Sequence, residues 1–348
     1  MNQHGIYMPK TILVAHSFGY NKQFGYSGID RYSQELDEGL TSIGYKHDKY
    51  AYNKNNLLKR LFASPKAVKG YDIIHLAQPH GYEAFIWSKA KKVLTWHDKD
   101  IFLRKRKGRF YNLFRGLMAY KFANTITFNS KQSYDELKEY IQKYMRFDEG
   151  KIYDVTPLPL EDIWIKQKVS KKLSRKGFIY IGAINYEHKN LKGLMETYKE
   201  ISNKVPNMKN LPLHIFTSSS DAQKLIKEAK AKTKAKSIFP IILHERSSDA
   251  EILKYLKQSI ALLHLSKYEG YGLPLMESIA VGTPVITLKE AKIPEEVAKW
   301  TIRTDDAASA AIKLYNKPRS ASQDAIKYAK SLTKENYAKK MVKLYEGV

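Results

Sequence analysis

Short runs of β-branched and aromatic residues alternate along the chain with longer stretches that are apolar at helical spacing. In the first half the short runs are Thr11–Ala15, Asp72–Leu76, Val93–Trp96, Thr125–Asn129 and Lys151–Val155. In the second half they are Phe178–Gly182, Leu213–Thr217, Ile238–His244, Ile260–Leu265 and Pro284–Leu288. Strands separated by helices predict βαβ units and parallel sheets covered on both faces. Two such series predict an α/β chain of two doubly wound domains, with Pro157–Lys172 as the linker. Ligands of such sheets bind at the carboxyl ends of the strands, so a site between the two domains is expected.

Composition narrows the classes. The chain has 348 residues and no cysteine, which excludes a disulfide scaffold, a thiolate nucleophile and any metal site built on sulfur. No stretch approaches the roughly 18 apolar residues a spanning helix needs, and Met1–Lys10 has no apolar signal core. A soluble cytoplasmic protein is expected. The formal net charge is +25, which points to an acidic partner: nucleic acid, an anionic membrane or a phosphorylated small molecule. Residues 51–130 hold 16 basic and 4 acidic side chains, so the excess charge of the first half sits in this block.

One segment concentrates candidate chemistry: Ser266-Lys-Tyr-Glu-Gly-Tyr-Gly-Leu-Pro-Leu-Met-Glu-Ser-Ile-Ala-Val-Gly-Thr-Pro-Val285. Pro274 suits the first turn of a helix, and Gly282 suits the left-handed position that ends one. Gly270 and Gly272 allow backbone N–H groups close to a ligand, beside a helix N-terminus that favours anions. Glu269 and Glu277 are spaced to face one cleft. Carboxylates accept hydrogen bonds from diols and N–H groups donate them to phosphates, and a nucleoside diphosphate sugar presents both. A lone strand–glycine–helix joint would be unremarkable, but two carboxylates flanking Gly-x-Gly-x-Pro point to a site.

The segment resembles the Glu-x7-Glu signature of retaining family 4 glycosyltransferases of GT-B fold. The resemblance implies two Rossmann-like domains facing across a cleft. The acceptor would bind to residues 1–165, onto which the closing helix at about 334–348 packs back, and the donor to 166–333. It also implies transfer of a sugar from a UDP- or GDP-linked donor to a hydroxyl of a glycan or lipid-linked acceptor, with no metal and no other cofactor. Glu277 would hold the ribose hydroxyls, Glu269 would lie at the donor sugar, and Gly270, Tyr271, Gly272 and Leu273 would line sugar and diphosphate. Tyr26-Ser-Gly28-Ile-Asp-Arg31-Tyr32 resembles the family's front glycine loop and would bring Gly28 to the diphosphate. Val93-Leu-Thr-Trp-His97-Asp98 resembles its strand ending in His-Asp, which would set His97 against the donor sugar.

Phe178–Gly182 through His188-Lys189-Asn190 resembles the opening of the family's second domain, with Lys189 on the diphosphate. A second cation is usual there. This chain has Ala183 and His188 instead, which makes Arg246 the candidate substitute. Asn124–Ser130 resembles a strand followed by a helix N-cap at Ser130. Leu332–Tyr337 resembles the closing helix, apolar through Tyr337, Met341 and Leu344. Asp98-Lys-Asp100 has the form of a metal-binding Asp-x-Asp, a reading that the Glu-x7-Glu fold does not need.

Lys54–Phe62 and Arg104–Arg115 mix cations with Leu, Phe and Tyr, which suits an anionic membrane surface and a peripheral position at its inner face. A solvated basic face is the alternative. A nucleic-acid-binding protein would need a recognition module, and none appears, so no specific nucleic acid is expected. Other nucleotide-sugar chemistry on a GT-B frame and a nucleotide-binding protein without activity are the remaining alternatives.

Overall fold

The computed structural model describes residues 11–17, 28–52, 65–97, 109–169, 176–205, 211–219, 221–232 and 240–347. They divide into two compact units: residues up to Pro159 together with Lys334 onward, and Leu160–Thr333.

The first unit runs β1 (Ile12–Ser17), α1 (Gly28–Ser42), β2 (His47–Tyr52), β3 (Ile73–Leu76), α2 (Glu83–Ile86), β4 (Lys91–Trp96), α3 (Arg109–Phe122), β5 (Thr125–Phe128), α4 (Lys131–Gln142) and β6 (Ile152–Val155). Its strands form one parallel sheet in the order β2-β1-β3-β4-β5-β6. The inner strands β3 and β5 are buried at every residue, as a sheet covered on both faces requires. Their core includes Ile74, Leu76, Leu94, Trp96, Ile126 and Phe128, packed against Ala119, Tyr120, Leu137 and Ile141 from the helices. Ser130 is the N-cap of α4, its hydroxyl accepting from the Ser133 N–H at 3.1 Å.

The second unit runs α5 (Asp162–Ile165), β7 (Phe178–Ile181), α6 (Leu191–Lys204), β8 (Leu213–Thr217), α7 (Ala222–Lys232), β9 (Ile241–Glu245), α8 (Asp249–Gln258), β10 (Leu262–Leu263), α9 (Leu273–Ala280), β11 (Val285–Leu288), α10 (Glu295–Ala298), β12 (Ile302–Thr304), α11 (Ala307–Asn316) and α12 (Gln323–Ser331). Its sheet is also parallel, in the order β12-β11-β10-β7-β8-β9. The expected linker contains α5, whose Trp164 is buried among helices of this unit. Its end, residues 170–172, lies outside the described residues.

The closing helix α13 (Lys334–Glu346) belongs to the first unit and packs on α1. A Cβ on Gly39 would sit 2.5 Å from the Lys334 carbonyl oxygen, so only glycine permits that approach. Lys334 Nζ donates to Glu38 at 2.7 Å across the same contact. Tyr337 and Met341 are buried as their spacing predicts, but the third deep residue is Tyr345; Leu344 is half-buried. Each sheet has one strand more than the sequence pattern predicts: β2 and β12, both at sheet edges.

Candidate functional site

Both sheets reverse direction at one place. In the second unit the chain builds outward through β7, β8 and β9, then returns to the other side of β7 with β10. In open parallel sheets the crevice outside the carboxyl ends of such a strand pair is where ligands bind. Lys189 follows β7 and Glu269 follows β10, so the fold itself brings two sequence-predicted site residues to the switch point.

Local geometry fixes each side chain. Glu187–Lys189 form one 3₁₀ turn, ended by Asn190 in the left-handed region at φ 55°. Asn190 caps α6 by accepting from the Gly193 N–H at 3.2 Å, and its amide donates to the Leu265 carbonyl at 3.0 Å. A Cβ on Gly193 would meet that amide nitrogen at 2.5 Å. The loop after β10 is stitched on both sides. The Lys267 N–H donates to the His188 carbonyl at 2.8 Å, and the Glu269 N–H donates to the Lys292 carbonyl at 2.9 Å in the segment that follows β11.

The Glu269 carboxylate is buried, and its Oε1 accepts from Lys189 Nζ at 2.7 Å and from His264 Nε2 at 2.6 Å. Burial pushes its carboxyl up, but the charge and hydrogen bond of His264, then those of Lys189, outweigh this and hold it well below the ordinary carboxylate range. His264 was not among the residues expected from sequence. It is 1% exposed, lies parallel to the Tyr180 ring, and its Nδ1 has no hydrogen-bond partner among the described residues. The Ser266 hydroxyl, two residues on, is buried in the same condition.

Gly272 takes φ 95° at the N-cap of α9, with Pro274 in the first turn as expected. Leu273 opens α9, and Glu277, one turn in, is buried. Gly270 lies in the loop between Glu269 and Gly272. Tyr271 is 4% exposed, and burial pushes its hydroxyl well above the usual tyrosine range. Gly282 ends α9 at φ 86°. Arg246 follows β9 at the sheet edge, also at φ 55°. Two strand spacings, roughly 10 Å, separate β9 from β7.

The first unit reverses between β1 and β3. Gly28 starts α1, the helix that follows β1; residues 18–27, including Ser27 and Tyr26, lie outside the described residues. His97 directly follows β4, beside β3, and its Nε2 lies 2.9 Å from the carbonyl oxygen of Ala77, the residue after β3. A carbonyl only accepts, so Nε2 carries the proton and Nδ1 is an acceptor. Burial pushes the His97 imidazole down to about 4, against the opposing effect of the Ala77 bond, so it is neutral at pH 7. The edge of Tyr32 holds the ring at 4.7 Å.

Behind Tyr32 runs a buried polar chain that the sequence did not announce. Tyr337 O–H donates to the Tyr32 oxygen at 3.0 Å, Tyr32 pairs with Thr95 at 2.7 Å, Thr95 with His75 Nε2 at 2.8 Å, and His75 Nδ1 with Tyr345 at 2.6 Å. It joins α1 and α13 to the sheet directly below His97. Asp98 and Asp100 lie outside the described residues, as do Lys54–Phe62 and residues 104–108 of the second basic run. Among the described residues no cluster of three or more histidines and carboxylates is placed to hold a metal ion, and no helix is long and apolar enough to cross a membrane.

Residues 162–332, just under half of the chain, match the family model "Glycosyl transferases group 1". No curated protein sequence matches the chain at a significant level. Among solved structures, a sucrose-phosphate synthase from Thermosynechococcus elongatus is similar at a TM-score of 0.69 and 14% identity, over 97% of this chain and 98% of that one. An α,α-trehalose 6-phosphate synthase from Burkholderia multivorans is similar at 0.69 and 10% identity, over 98% and 97%. A trehalose-phosphate synthase from Burkholderia xenovorans, in complex with glucose-6-phosphate, is similar at 0.65 and 8% identity, over 97% and 100%. The fold is the α/β, two-sheet fold of GT-B glycosyltransferases, and the second unit is a glycosyltransferase domain.

Proposed function

We propose that this glycosyltransferase moves a sugar from a UDP- or GDP-linked donor to an acceptor hydroxyl, with retention at the anomeric carbon, in the manner of family 4. The observation that carries the reading is the Lys189–Glu269 contact at 2.7 Å at the switch point of the second sheet. Eighty residues apart in sequence, the two side chains meet where a parallel sheet takes its ligand. In this reading Glu277 accepts from the ribose hydroxyls, the amides of Gly270–Leu273 and the N-terminus of α9 face the diphosphate, and Lys189 supplies its cation. Glu269 orients the sugar, and neutral His97 offers Nδ1 as an acceptor for a sugar hydroxyl.

The bond from the anomeric carbon to the leaving phosphate oxygen breaks as the acceptor oxygen bonds to that carbon on the same face. The departing phosphate takes the acceptor's proton. Fixed donors and a cation aimed at the leaving diphosphate lower the barrier where negative charge develops. Arg246, after the edge strand β9, is the candidate for the second cation.

The acceptor reading is a glycan or lipid-linked hydroxyl, met at an anionic membrane surface in the lipid-linked case. A sugar phosphate is a second reading, favoured by the structural neighbours, which are named as sucrose-phosphate and trehalose-phosphate synthases. A thermal-shift series with UDP, GDP, ADP and dTDP on the wild type and Glu277→Ala tests the donor site. A nucleotide at 100 times its dissociation constant adds about 2.7 kcal/mol of stability. One nucleotide stabilising the wild type but not the variant is the expected result. Stabilisation by none of them, or equal stabilisation of both proteins, overturns the donor assignment.

A further inference from the structure

Large hydrophobic side chains that reach solvent are not spread evenly over the described residues. Five of the nine, Ile86, Trp87, Phe110, Tyr111 and Phe114, sit on or beside α2 and α3 of the first unit. Phe110 is 86% exposed, Trp87 53%, Phe114 49% and Ile86 42%. The two helices are neighbours, joined by Tyr82 at the start of α2, whose ring meets Phe114 edge-on at 5.9 Å. Arg115 stiffens the base of the patch: its guanidinium donates to the His80 carbonyl at 3.2 Å and lies 4.6 Å over the Tyr111 ring. Isolated exposed apolar residues are ordinary; five on two adjoining helices are a patch.

The charge around the patch has one sign. From Pro79 to His97 and from Arg109 to Phe122 the only carboxylate is Glu83, and it is buried. Lys89 and Lys91 are exposed immediately after Trp87. By sequence, α3 is preceded by Arg104-Lys-Arg-Lys107, which lies outside the described residues. Aromatic rings in water beside cations with no competing carboxylate match the headgroup level of an anionic bilayer, where rings settle at the boundary and lysines meet phosphate. A second copy of the chain fits poorly, because closing the patch on itself would oppose two sets of cations.

We propose that α2 and α3 form a docking patch for an anionic lipid bilayer, with Trp87, Phe110 and Phe114 entering the headgroup layer and Lys89 and Lys91 pairing with lipid phosphates. This surface does not depend on the donor-site reading. The same patch extends the expectation drawn from Arg104–Arg115 by adding a second element, Ile86–Trp87, that the sequence pattern gave no reason to include.

The test uses the full chain and vesicles of phosphatidylcholine, with and without phosphatidylglycerol. Trp87 is the exposed tryptophan of four; Trp96 and Trp164 are buried and Trp300 is half-buried, so Trp87 reports insertion by a blue shift of its emission. Co-sedimentation with the anionic vesicles and a blue shift are expected. Phe110→Ser with Phe114→Ser lowers binding by about tenfold or more, since each ring contributes the transfer free energy of an aromatic side chain. Lys89→Ser with Lys91→Ser weakens binding less and flattens its salt dependence. Equal binding to neutral and anionic vesicles, or full binding by the Phe110/Phe114 variant, overturns the proposal. So does a concentration-dependent dimer that these substitutions abolish while vesicles are ignored. Nucleotide stabilisation, measured on the same variants, stays at the wild-type value and separates failure here from failure of the donor site.

Discussion

Deleting the positive charge at Lys189 probes the second-unit site through stability, without a substrate. Lys189 Nζ and Glu269 Oε1 are 2.7 Å apart, with side chains 17% and 9% exposed. Lys189→Met keeps most of the aliphatic stem and removes the charge. Glu269 then keeps the His264 bond at 2.6 Å. Stranding a buried charge completely costs about 3–5 kcal/mol. With His264 still donating and Lys189 partly in water, the loss is closer to that of one charged hydrogen bond, about 1.5–3 kcal/mol. Glu269→Gln alone is ambiguous, because it removes an ion pair and leaves two donors short of an acceptor charge. The double variant resolves this. Its cost should fall short of the sum of the singles by about 1.5–3 kcal/mol, the coupling between contacting charges.

Urea unfolding followed by tryptophan emission is the assay, since Trp164 and Trp300 both lie in the second unit. The pH dependence gives an independent sign. A carboxyl whose folded-state value is depressed contributes stability above its unfolded value, about 4.3, and loses it as pH falls towards the folded value. The coupling therefore persists from neutral pH to about 4.3 and fades below it. Additivity to within about 0.3–0.5 kcal/mol at pH 7 would mean that the contact contributes nothing, and the argument for a built site falls with it.

Burial pushes His75 down to about 3 and His97 to about 4. Between pH 6.5 and those values the unfolded chain takes up protons that the folded first unit refuses. Each histidine thus removes about 2 kcal/mol between pH 7 and pH 5. His47, raised by Asp37, has the opposite sign: its contribution is intact in acid and is lost as pH rises through its raised value. An unchanged urea midpoint for the Trp96 signal between pH 7 and pH 5 contradicts the buried neutral assignment. In the second unit, Gly282→Ala places a Cβ 2.5 Å from Val169 Cγ1 at φ 86°, whereas Gly272→Ala at φ 95° comes no closer than 3.3 Å, to the tip of Leu275. Both lower the melting temperature and Gly282→Ala lowers it further; the reverse order in a thermal melt refutes the close approach.

The strand pattern was legible where strands are buried on both faces, because Ile73–Leu76 and Thr125–Phe128 are mostly apolar or β-branched there, with His75 the one buried polar ring. His47–Tyr52 and Ile302–Thr304 escaped notice for the converse reason. Each is a sheet edge with one neighbour, and His-Asp-Lys-Tyr-Ala-Tyr carries its polar residues into water. The turn chemistry around α9 was equally legible, since Pro274, Gly272 and Gly282 each satisfy a local backbone demand. His264 was not. It sits within the apolar run Ile260–Leu265, and its partner appears only when the loop folds back to bring Glu269 against it. Arg246 was selected by residue type alone. Its distance from Lys189 depends on β9 taking the sheet edge, and strand order is a property of the assembled sheet.

The position of His264 also answers a difficulty in the proposed chemistry. Glu269 and Lys189 neutralise each other in the structure, yet a bound diphosphate would compete for the same ammonium. If Lys189 were the sole partner, every donor molecule would strand a buried carboxylate, a cost of several kcal/mol set against its own binding. His264 removes that conflict. Its Nε2–H holds Glu269 from within the sheet, on a ring fixed by burial and by Tyr180. Lys189 is then free to turn towards the phosphates while the carboxylate remains bonded and directed. A single lysine can in this way serve both as resting partner and as ligand cation, in a site where Arg246 is two strands away.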